Sequence, residues 1–146
     1  MTKIEEIAIA SDHAGLELKN RLVKFLLKQG YNVIDMGVRK KTRCDYPVYG
    51  KKVASAVSAG DIPLGILLCG TGIGMSIVAN RYPGVRAAMV HDHFTARMAK
   101  SHNNANILCL GARVTARALA EELVSTWLET KFEGGRHQER LDQIDE

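Results

Sequence analysis

The sequence predicts an α/β fold, in which a five-stranded parallel sheet lies between two layers of helices in a three-layer α/β/α sandwich. One observation predicts it: short apolar runs alternate along the chain with segments of helical periodicity, so that each run is followed by a helix. Strands joined in this way are parallel and are buried on both faces. The 146 residues contain no linker and no internal repeat, so we expect a single domain.

Five apolar runs are predicted to be strands. They are residues 4–10, 31–36, 64–68, 85–90 and 107–110. The helix after the first strand carries Leu18, Leu22 and Leu26 at helical spacing. Lys19 lies off this stripe, and Gly30 ends the helix.

The next three helices are marked by their first or last residues. Pro47 opens the second helix after a polar loop, because proline suits the first turn, and Gly60 ends it. The third helix follows a glycine-rich loop and runs to about Arg81. Asp92 is expected to cap the fourth helix, which reaches about Ser101.

A broad apolar face at 119–128 predicts a long final helix, and a polar tail follows it from Glu133. Right-handed crossovers then allow either the strand order of flavodoxins or that of mononucleotide-binding domains. Open sheets of this kind bind ligands beyond the carboxyl ends of their strands. In the flavodoxin order, Asp12 and His13 after the first strand converge with Cys69 after the third.

Composition argues against several classes of protein. The net charge is only +4, and no basic block is interleaved with the few aromatic residues, which argues against nucleic-acid binding. No apolar run approaches the roughly 18 residues of a membrane span, and the first residues lack a signal-peptide pattern. Three cysteines without a CxxC pair favour a reducing cytoplasm and no disulfide framework.

Cys69 ends the third strand, and glycines follow it at positions 70, 72 and 74. Glycine allows a close approach of the backbone, so the N–H groups of this loop are predicted to hold a small oxyanion. A helix that begins here would favour the thiolate. The spacing excludes a Walker loop, which needs Gly-Lys, and a dinucleotide fingerprint, which follows the first strand. A cysteine phosphatase would need an arginine where Met75 stands.

A thiol beside N–H donors has two chemical uses. It can form a covalent intermediate, or it can abstract a proton next to a carbonyl while the amides stabilise the enediolate oxygen. The alternative is that Cys69 is only a small buried side chain at a strand end. Three glycines that pack nothing favour the active thiol. Cys44 and Cys109 lack this context and are expected to be structural.

Six short motifs lie in order along the chain. They are Asp12-His13-Ala14-Gly15, Asp45-Tyr46-Pro47, Cys69 to Gly74, His102-Asn103, Gly111-Ala112-Arg113 and Glu133 to Arg140. Together they resemble type B ribose-5-phosphate isomerase, a family that also handles allose and galactose 6-phosphates. The resemblance implies a Rossmann-like α/β/α fold, a homodimer or dimer of dimers, no metal or other cofactor, and aldose–ketose interconversion in the pentose phosphate pathway.

The resemblance also implies a role for each motif. Cys69 would move a proton between C1 and C2 through a cis-enediolate, assisted by the Thr71 hydroxyl. Asp12 and His102 would open the sugar ring, and Asn103 would bind sugar hydroxyls. The anion hole would consist of Gly70, Gly72, Ile73 and Gly74. The phosphate would be held by Arg113, Arg136 and Arg140, together with His13.

Tyr46 and the segment His91-Asp92-His93 each allow two interpretations. Tyr46 could stack on the sugar or bond to it, although Tyr-Pro at a helix start is also ordinary packing. His91-Asp92-His93 resembles a metal cluster, but its residues alternate instead of recurring at i, i+4, and Asp92 has a capping role. No metal site is predicted.

Helix geometry predicts a second subunit. His102 follows a helix that runs back along the sheet, about 15 Å from the edge that holds Cys69. The tail with Arg136 and Arg140 follows another returning helix. A pocket shared with Cys69 therefore needs a homodimer with composite sites, in which the tail, about 131–146, serves the neighbouring subunit.

The sequence thus predicts a cytoplasmic isomerase of a small phosphorylated sugar, with ribose 5-phosphate and ribulose 5-phosphate as the first choice. An isomerase of allose or galactose 6-phosphate is one alternative. A non-catalytic module that binds a sugar phosphate is the other.

Overall fold

Five parallel strands form one sheet in the computed structural model, which describes residues 4–145. The strands are β1 (Glu6–Ser11), β2 (Asn32–Asp35), β3 (Leu64–Cys69), β4 (Ala87–Met89) and β5 (Ile107–Gly111). The α-helices are α1 (Leu16–Lys28), α2 (Tyr46–Ser58), α3 (Ile73–Ala79), α4 (His93–Ser101), α5 (Arg117–Glu129) and α6 (Arg136–Asp142). The predicted α/β class and the five parallel strands are confirmed.

The strand order is β2-β1-β3-β5-β4, which differs from both predicted orders. The reason lies in the last two strands. β5 is buried at all five positions and suits a central place, whereas β4 has three half-buried residues and forms an edge. β1 still lies beside β3, so the predicted convergence of their carboxyl ends is confirmed.

The helices form two layers that follow from this order. The chain moves outward from β3 to β4 and then returns to β5, so right-handed crossovers place α3 and α4 on opposite faces. Alternate strand residues fill the two cores: Ile7 and Ile9 face one layer, and Ala8 and Ala10 face the other. Two apolar cores therefore hold the sheet in place.

Lys19 is buried, although the helical pattern placed it off the apolar stripe of α1. Its side chain is 1% exposed, and Nζ donates to Oδ2 of Asp35 at 2.6 Å. A cation is tolerated there because the neighbouring strand supplies a carboxylate. The pair links α1 to β2.

The polar tail and the length of β4 also differ from the sequence prediction. The polar tail forms α6, and the N–H of Glu133 donates to the carbonyl of Ser101 at 3.0 Å, which anchors the tail beside α4. β4 is shorter than predicted because Val85 belongs to a turn, where its N–H donates to Tyr82. Across residues 4–145, every helix is too short or too polar to cross a membrane.

Candidate active site

Cys69 is the last residue of β3 and lies beside Gly111 of β5. Its side chain packs with the core, and the residue is 5% exposed. The N–H of Gly72 donates to Sγ at 3.2 Å, so the loop after the strand turns back over the sulfur. The thiol is therefore held between the apolar interior and a main-chain donor.

Glycine is required at positions 72 and 74 for two different structural reasons. Gly72 has a φ of +82°, which L side chains rarely adopt, and it immediately precedes α3. A Cβ on Gly74 would stand 2.6 Å from Cζ of Tyr46, so only glycine lets the tyrosine ring lie on the loop. The first N–H groups of α3 have no partner within the helix, and that of Ile73 donates to Oγ1 of Thr71 at 3.2 Å.

Two backbone bonds join this loop to the segment after β5. Ala112 donates to the carbonyl of Cys69 at 2.8 Å, and Arg113 donates to that of Gly70 at 3.0 Å. Nη1 of Arg113 lies 3.3 Å from the point where a Cβ on Gly70 would stand. The guanidinium thus covers the loop, and exposed Thr71 lies next to Gly70 with its Oγ1 accepting from a backbone N–H.

Asp12 and His13 follow the last residue of β1 and lie at the same end of the sheet as Cys69. Oδ1 of Asp12 accepts from the N–H groups of Ala14 and Gly15 at 3.0 and 3.2 Å, which caps a single turn of 3-10 helix. Nδ1 of His13 accepts from the N–H of Cys44 at 3.2 Å. A neutral ring with this acceptor carries its proton on Nε2, which is then a donor.

These residues border an open cleft of about 540 Å³. Its basic side chains are Arg43 and Lys51, in addition to His13. Cys44, which was expected to be structural, also lines the cleft, with Sγ 3.9 Å from Nδ1 of His13. The carboxylates of Asp12 and Asp45 line it as well, and Tyr46, whose ring lies on Gly74, connects it to the glycine loop.

The other predicted site residues lie at the opposite end of the sheet, near the amino ends of the strands. His102 caps the end of α4 and precedes Ile107, the first residue of β5. Ile107 and Gly111, the partner of Cys69, are separated by the length of β5, about 13 Å. Asn103 lines a separate pocket of about 350 Å³ at that edge. Within one chain, the structure therefore separates His102 and Asn103 from Cys69.

The tail lies with His102 and not with Cys69. The rings of His102 and His137 stack with centroids 4.0 Å apart and an interplanar angle of 15°. Oε2 and Oε1 of Glu133 lie 3.5 and 3.6 Å from the two Nε2 atoms. Arg136 and Arg140 stand on the same short helix, α6, and both are exposed.

His102, Glu133 and His137 are the one group among residues 4–145 with three possible metal-ligand atoms within 4.8 Å of one another. Stacked rings direct their nitrogens along nearly parallel lines, whereas a tetrahedral metal requires converging lines. The arrangement fits a carboxylate bridging two imidazoles better than a metal centre. Burial, reinforced by the charges of His102 and Arg136, lowers the pKa of His137.

Asp92 caps α4 as predicted. Its Oδ1 accepts from the backbone N–H of Thr95 at 2.7 Å, and these bonds hold the pKa of Asp92 below its usual range. Nε2 of His93 lies 3.6 Å from Oε1 of Glu122, a residue of α5, and not beside His91 or Asp92 in a shared site. Asp92 therefore has the structural role that the sequence assigned to it.

Comparison with known proteins identifies the family. The family described as Ribose/Galactose Isomerase matches residues 7–144, nearly the whole chain. The chain belongs to this family. It is 43% identical to ribose-5-phosphate isomerase B of Escherichia coli over 141 residues, which cover 97% of this chain and 95% of that protein. The resemblance seen in the six motifs is confirmed, and the chain is an isomerase.

Solved structures of the ribose/galactose isomerase family have the same fold. Ribose-5-phosphate isomerase B of Clostridium thermocellum superposes with a TM-score of 0.94 at 50% identity, covering 95% of this chain and 94% of that one. The Mycoplasma genitalium enzyme, solved with bound ribulose-5-phosphate, gives 0.92 at 43% identity and covers 95% and 93%. The family's α/β/α fold thus extends over the described chain.

Sequence reasoning missed several side chains near the predicted ones. Arg43, Cys44 and Lys51 line the cleft, but isolated polar residues in a loop carry no spacing signal. Glu133 and His137 stood inside the Glu133–Arg140 motif, where only the arginines received a role. Their contact with His102 depends on how the tail folds back, which sequence periodicity does not describe.

Proposed function

We propose that this chain interconverts ribose 5-phosphate and ribulose 5-phosphate. The observation that carries the proposal is Sγ of Cys69, held by the N–H of Gly72 at the mouth of a glycine loop that Arg113 covers. Family membership supports an isomerase, and the Mycoplasma genitalium relative was solved with the ketose product. A thiol, backbone donors and a guanidinium are the groups that an enediolate and a phosphate require.

The proton transfer is assigned to Cys69. Its thiolate takes the proton from C2 of the open aldose, the electron pair moves to the carbonyl oxygen, and a cis-enediolate forms. Stabilisation of the negative oxygen is assigned to the N–H groups of Gly70, Gly72, Ile73 and Gly74. In this structure the N–H of Gly72 donates to Sγ of Cys69 and that of Ile73 to Oγ1 of Thr71, so these two donors must turn to the substrate when it binds. Return of the proton to C1 gives the ketose, and the Thr71 hydroxyl carries the proton between O1 and O2.

Recognition of the phosphate is assigned to groups from both edges of the sheet. His13 presents Nε2–H, and Arg113 presents its guanidinium beside the glycine loop. Arg136 and Arg140 add two forked donors, since residues four apart share one face of α6. Tyr46, whose ring lies on Gly74, supports the sugar.

Opening of the furanose ring is assigned to Asp12 and His102, with Asn103 bonding to sugar hydroxyls. Both hydrogen bonds of the Asp12 cap end on Oδ1, which leaves Oδ2 for the sugar. His102 is reachable from solvent, because 37% of its side chain is exposed. Since Cys69 and His102 stand at opposite edges of one sheet, the two steps need two chains.

We therefore propose a homodimer with two composite sites, in which residues 131–146 of each subunit serve the other. Exposed apolar side chains near the loop support an interface there: Ile73 is 51% exposed, Ile77 54% and Val48 54%. Exposed apolar side chains on two neighbouring helices, α2 and α3, favour burial against a partner. A dimer of such dimers uses the same composite sites.

A test in heavy water separates the proposal from its alternatives. The wild-type protein should convert ribose 5-phosphate and introduce deuterium at C2, whereas a binding module leaves the substrate unlabelled. Cys69→Ala should abolish both the conversion and the deuterium incorporation. Cys109→Ala, which removes a thiol from the core, should retain both activities. Comparing the rates at which the wild-type protein turns over ribose 5-phosphate, allose 6-phosphate and galactose 6-phosphate decides between a pentose and a hexose substrate. Faster turnover of a hexose phosphate would overturn the pentose assignment.

A further inference from the structure

We propose that Glu133 and His137 are positioning residues that hold the imidazole of His102 for opening of the sugar ring. The inference rests on the proposed function, because it needs His102 to act on the substrate. Neither side chain is assigned a contact with the sugar. They act by fixing the orientation of the ring that does.

The geometry that carries this inference is a carboxylate shared by two rings. Oε2 of Glu133 lies 3.5 Å from Nε2 of His102, and Oε1 lies 3.6 Å from Nε2 of His137. The two imidazoles stack at 4.0 Å between centroids. Each ring is thus restrained by the stack, and one nitrogen of each ring has a carboxylate oxygen beside it.

Burial distinguishes the roles of the two histidines. His137 is 6% exposed, and its Nε2 has no hydrogen-bond partner within the described chain. Such an atom is costly, and Oε1 of Glu133 stands 3.6 Å from it without forming a hydrogen bond. His102 is the solvent-facing ring of the stack, with 37% of its side chain exposed. With Nε2 directed at Glu133, Nδ1 of His102 is the nitrogen left for the sugar.

The charges and burial around the stack distinguish the two rings. Burial lowers the pKa of His137, and the charges of His102 and Arg136 lower it further, so a proton on that buried ring is disfavoured. Oε2 of Glu133 lies 3.5 Å from Nε2 of His102, the ring of the stack that solvent can reach. The carboxylate is therefore placed to orient the exposed ring.

The backbone fixes the carboxylate in turn. The N–H of Glu133 donates to the carbonyl of Ser101, the residue before His102, at 3.0 Å. The tail is thereby docked on the end of α4 in its own chain. His102 and the phosphate-binding arginines form one preassembled unit that a partner can use.

The test compares Glu133→Gln with Glu139→Gln, a matched change on an exposed position of the same tail. Conversion of ribose 5-phosphate should fall about 10-fold to 100-fold in the first variant, the cost of misplacing a catalytic group. The control should match the wild type. His137→Phe keeps the ring stack but loses the ring nitrogens. Its rate of ribose 5-phosphate conversion should fall less than that of His137→Ala, which loses both.

A second readout separates positioning from general damage. Ribulose 5-phosphate has no furanose ring, because its C5 hydroxyl carries the phosphate, so deuterium uptake at its C1 needs only Cys69. Glu133→Gln should lose far less of this exchange than of ribose 5-phosphate conversion. In a His102→Ala background, Glu133→Gln should have no further effect, since residues that act through one another are not additive.

The outcomes are distinguishable from failure of the proposed function. If the wild type interconverts neither sugar phosphate, the function itself is wrong. If the wild type is active, equal losses of exchange and conversion in Glu133→Gln overturn the positioning role. So does an additive effect in the His102→Ala background, or a Glu133→Gln variant that behaves like Glu139→Gln.

Discussion

Cys69 and Cys109 lie in the same core layer on neighbouring strands, but their surroundings differ. Cys109 pairs with Leu67, two residues deeper in the sheet, and burial raises the pKa of its thiol. Cys69 stands at the strand end, where Gly72 supplies a donor. Two residues along a strand separate a structural thiol from a candidate base.

Gly72→Ala is predicted to damage both folding and turnover. An alanine at a φ of +82° is strained by about 1–2 kcal/mol. Its Cβ would also stand 3.1 Å from the carbonyl carbon of Leu110, so the loop must shift away from Sγ of Cys69. Urea denaturation and the isomerase assay measure the two effects.

Gly84→Ala is the matched control for this prediction. Gly84 has a φ of +77°, and a Cβ there would meet nothing within 4 Å. The control should lose stability from strain alone and keep its activity per folded molecule. Equal activities of the two variants would show that the loop tolerates displacement and that its N–H geometry is not needed.

At the scale of elements, the ion pair between Lys19 and Asp35 ties α1 to the edge strand β2. Asp35→Asn should lower the free energy of unfolding by about 3 kcal/mol, because it leaves a buried ammonium without its counter-charge. Glu121→Gln removes the partner of the more exposed Arg21 and should cost at most about 1 kcal/mol. Comparable urea midpoints for the two variants would contradict this ranking.

The elements themselves could be predicted because each has a local signal. The apolar run of β3, the stripe of Leu18, Leu22 and Leu26, and the Asp92 cap all lie within a few residues of sequence. The order of β4 and β5 could not be predicted in this way. That order depends on which of the two strands is more fully buried, which involves the whole sheet. The burial of Lys19 could not be predicted either, because its partner Asp35 belongs to another element.

The same distinction applies to the candidate site. Cys69, Asp12 and His13 converge as predicted, because parallel strands bring their carboxyl ends together. The roles of His102 and the tail arginines came from the resemblance and remain predictions. The stack of His102 on His137 was not foreseen, since a tail packing on a helix end has no periodic signature.

At the scale of the whole molecule, composite sites predict complementation between two inactive variants. Mixing Cys69→Ala with His102→Ala after unfolding and refolding should restore about one quarter of wild-type activity. Half of the dimers are then mixed, and each mixed dimer has one site with both residues intact. Activity measured before and after mixing provides the comparison.

The control mixes Cys69→Ala with a variant that carries both substitutions, where no pairing yields an intact site. This mixture should remain inactive. If the first mixture also gains nothing while its subunits exchange, each site is confined to one chain and the shared-site proposal is wrong.

With the shared sites proposed above, the placement of Cys69 and His102 at opposite ends of the sheet has an evolutionary consequence. After duplication of the gene, one copy could lose the thiol and the other the imidazole, and their hetero-oligomer would still contain a working centre. Each copy would then be retained for the half that the other lacks. A single substitution in each of two paralogous subunits would therefore be enough to make them depend on each other.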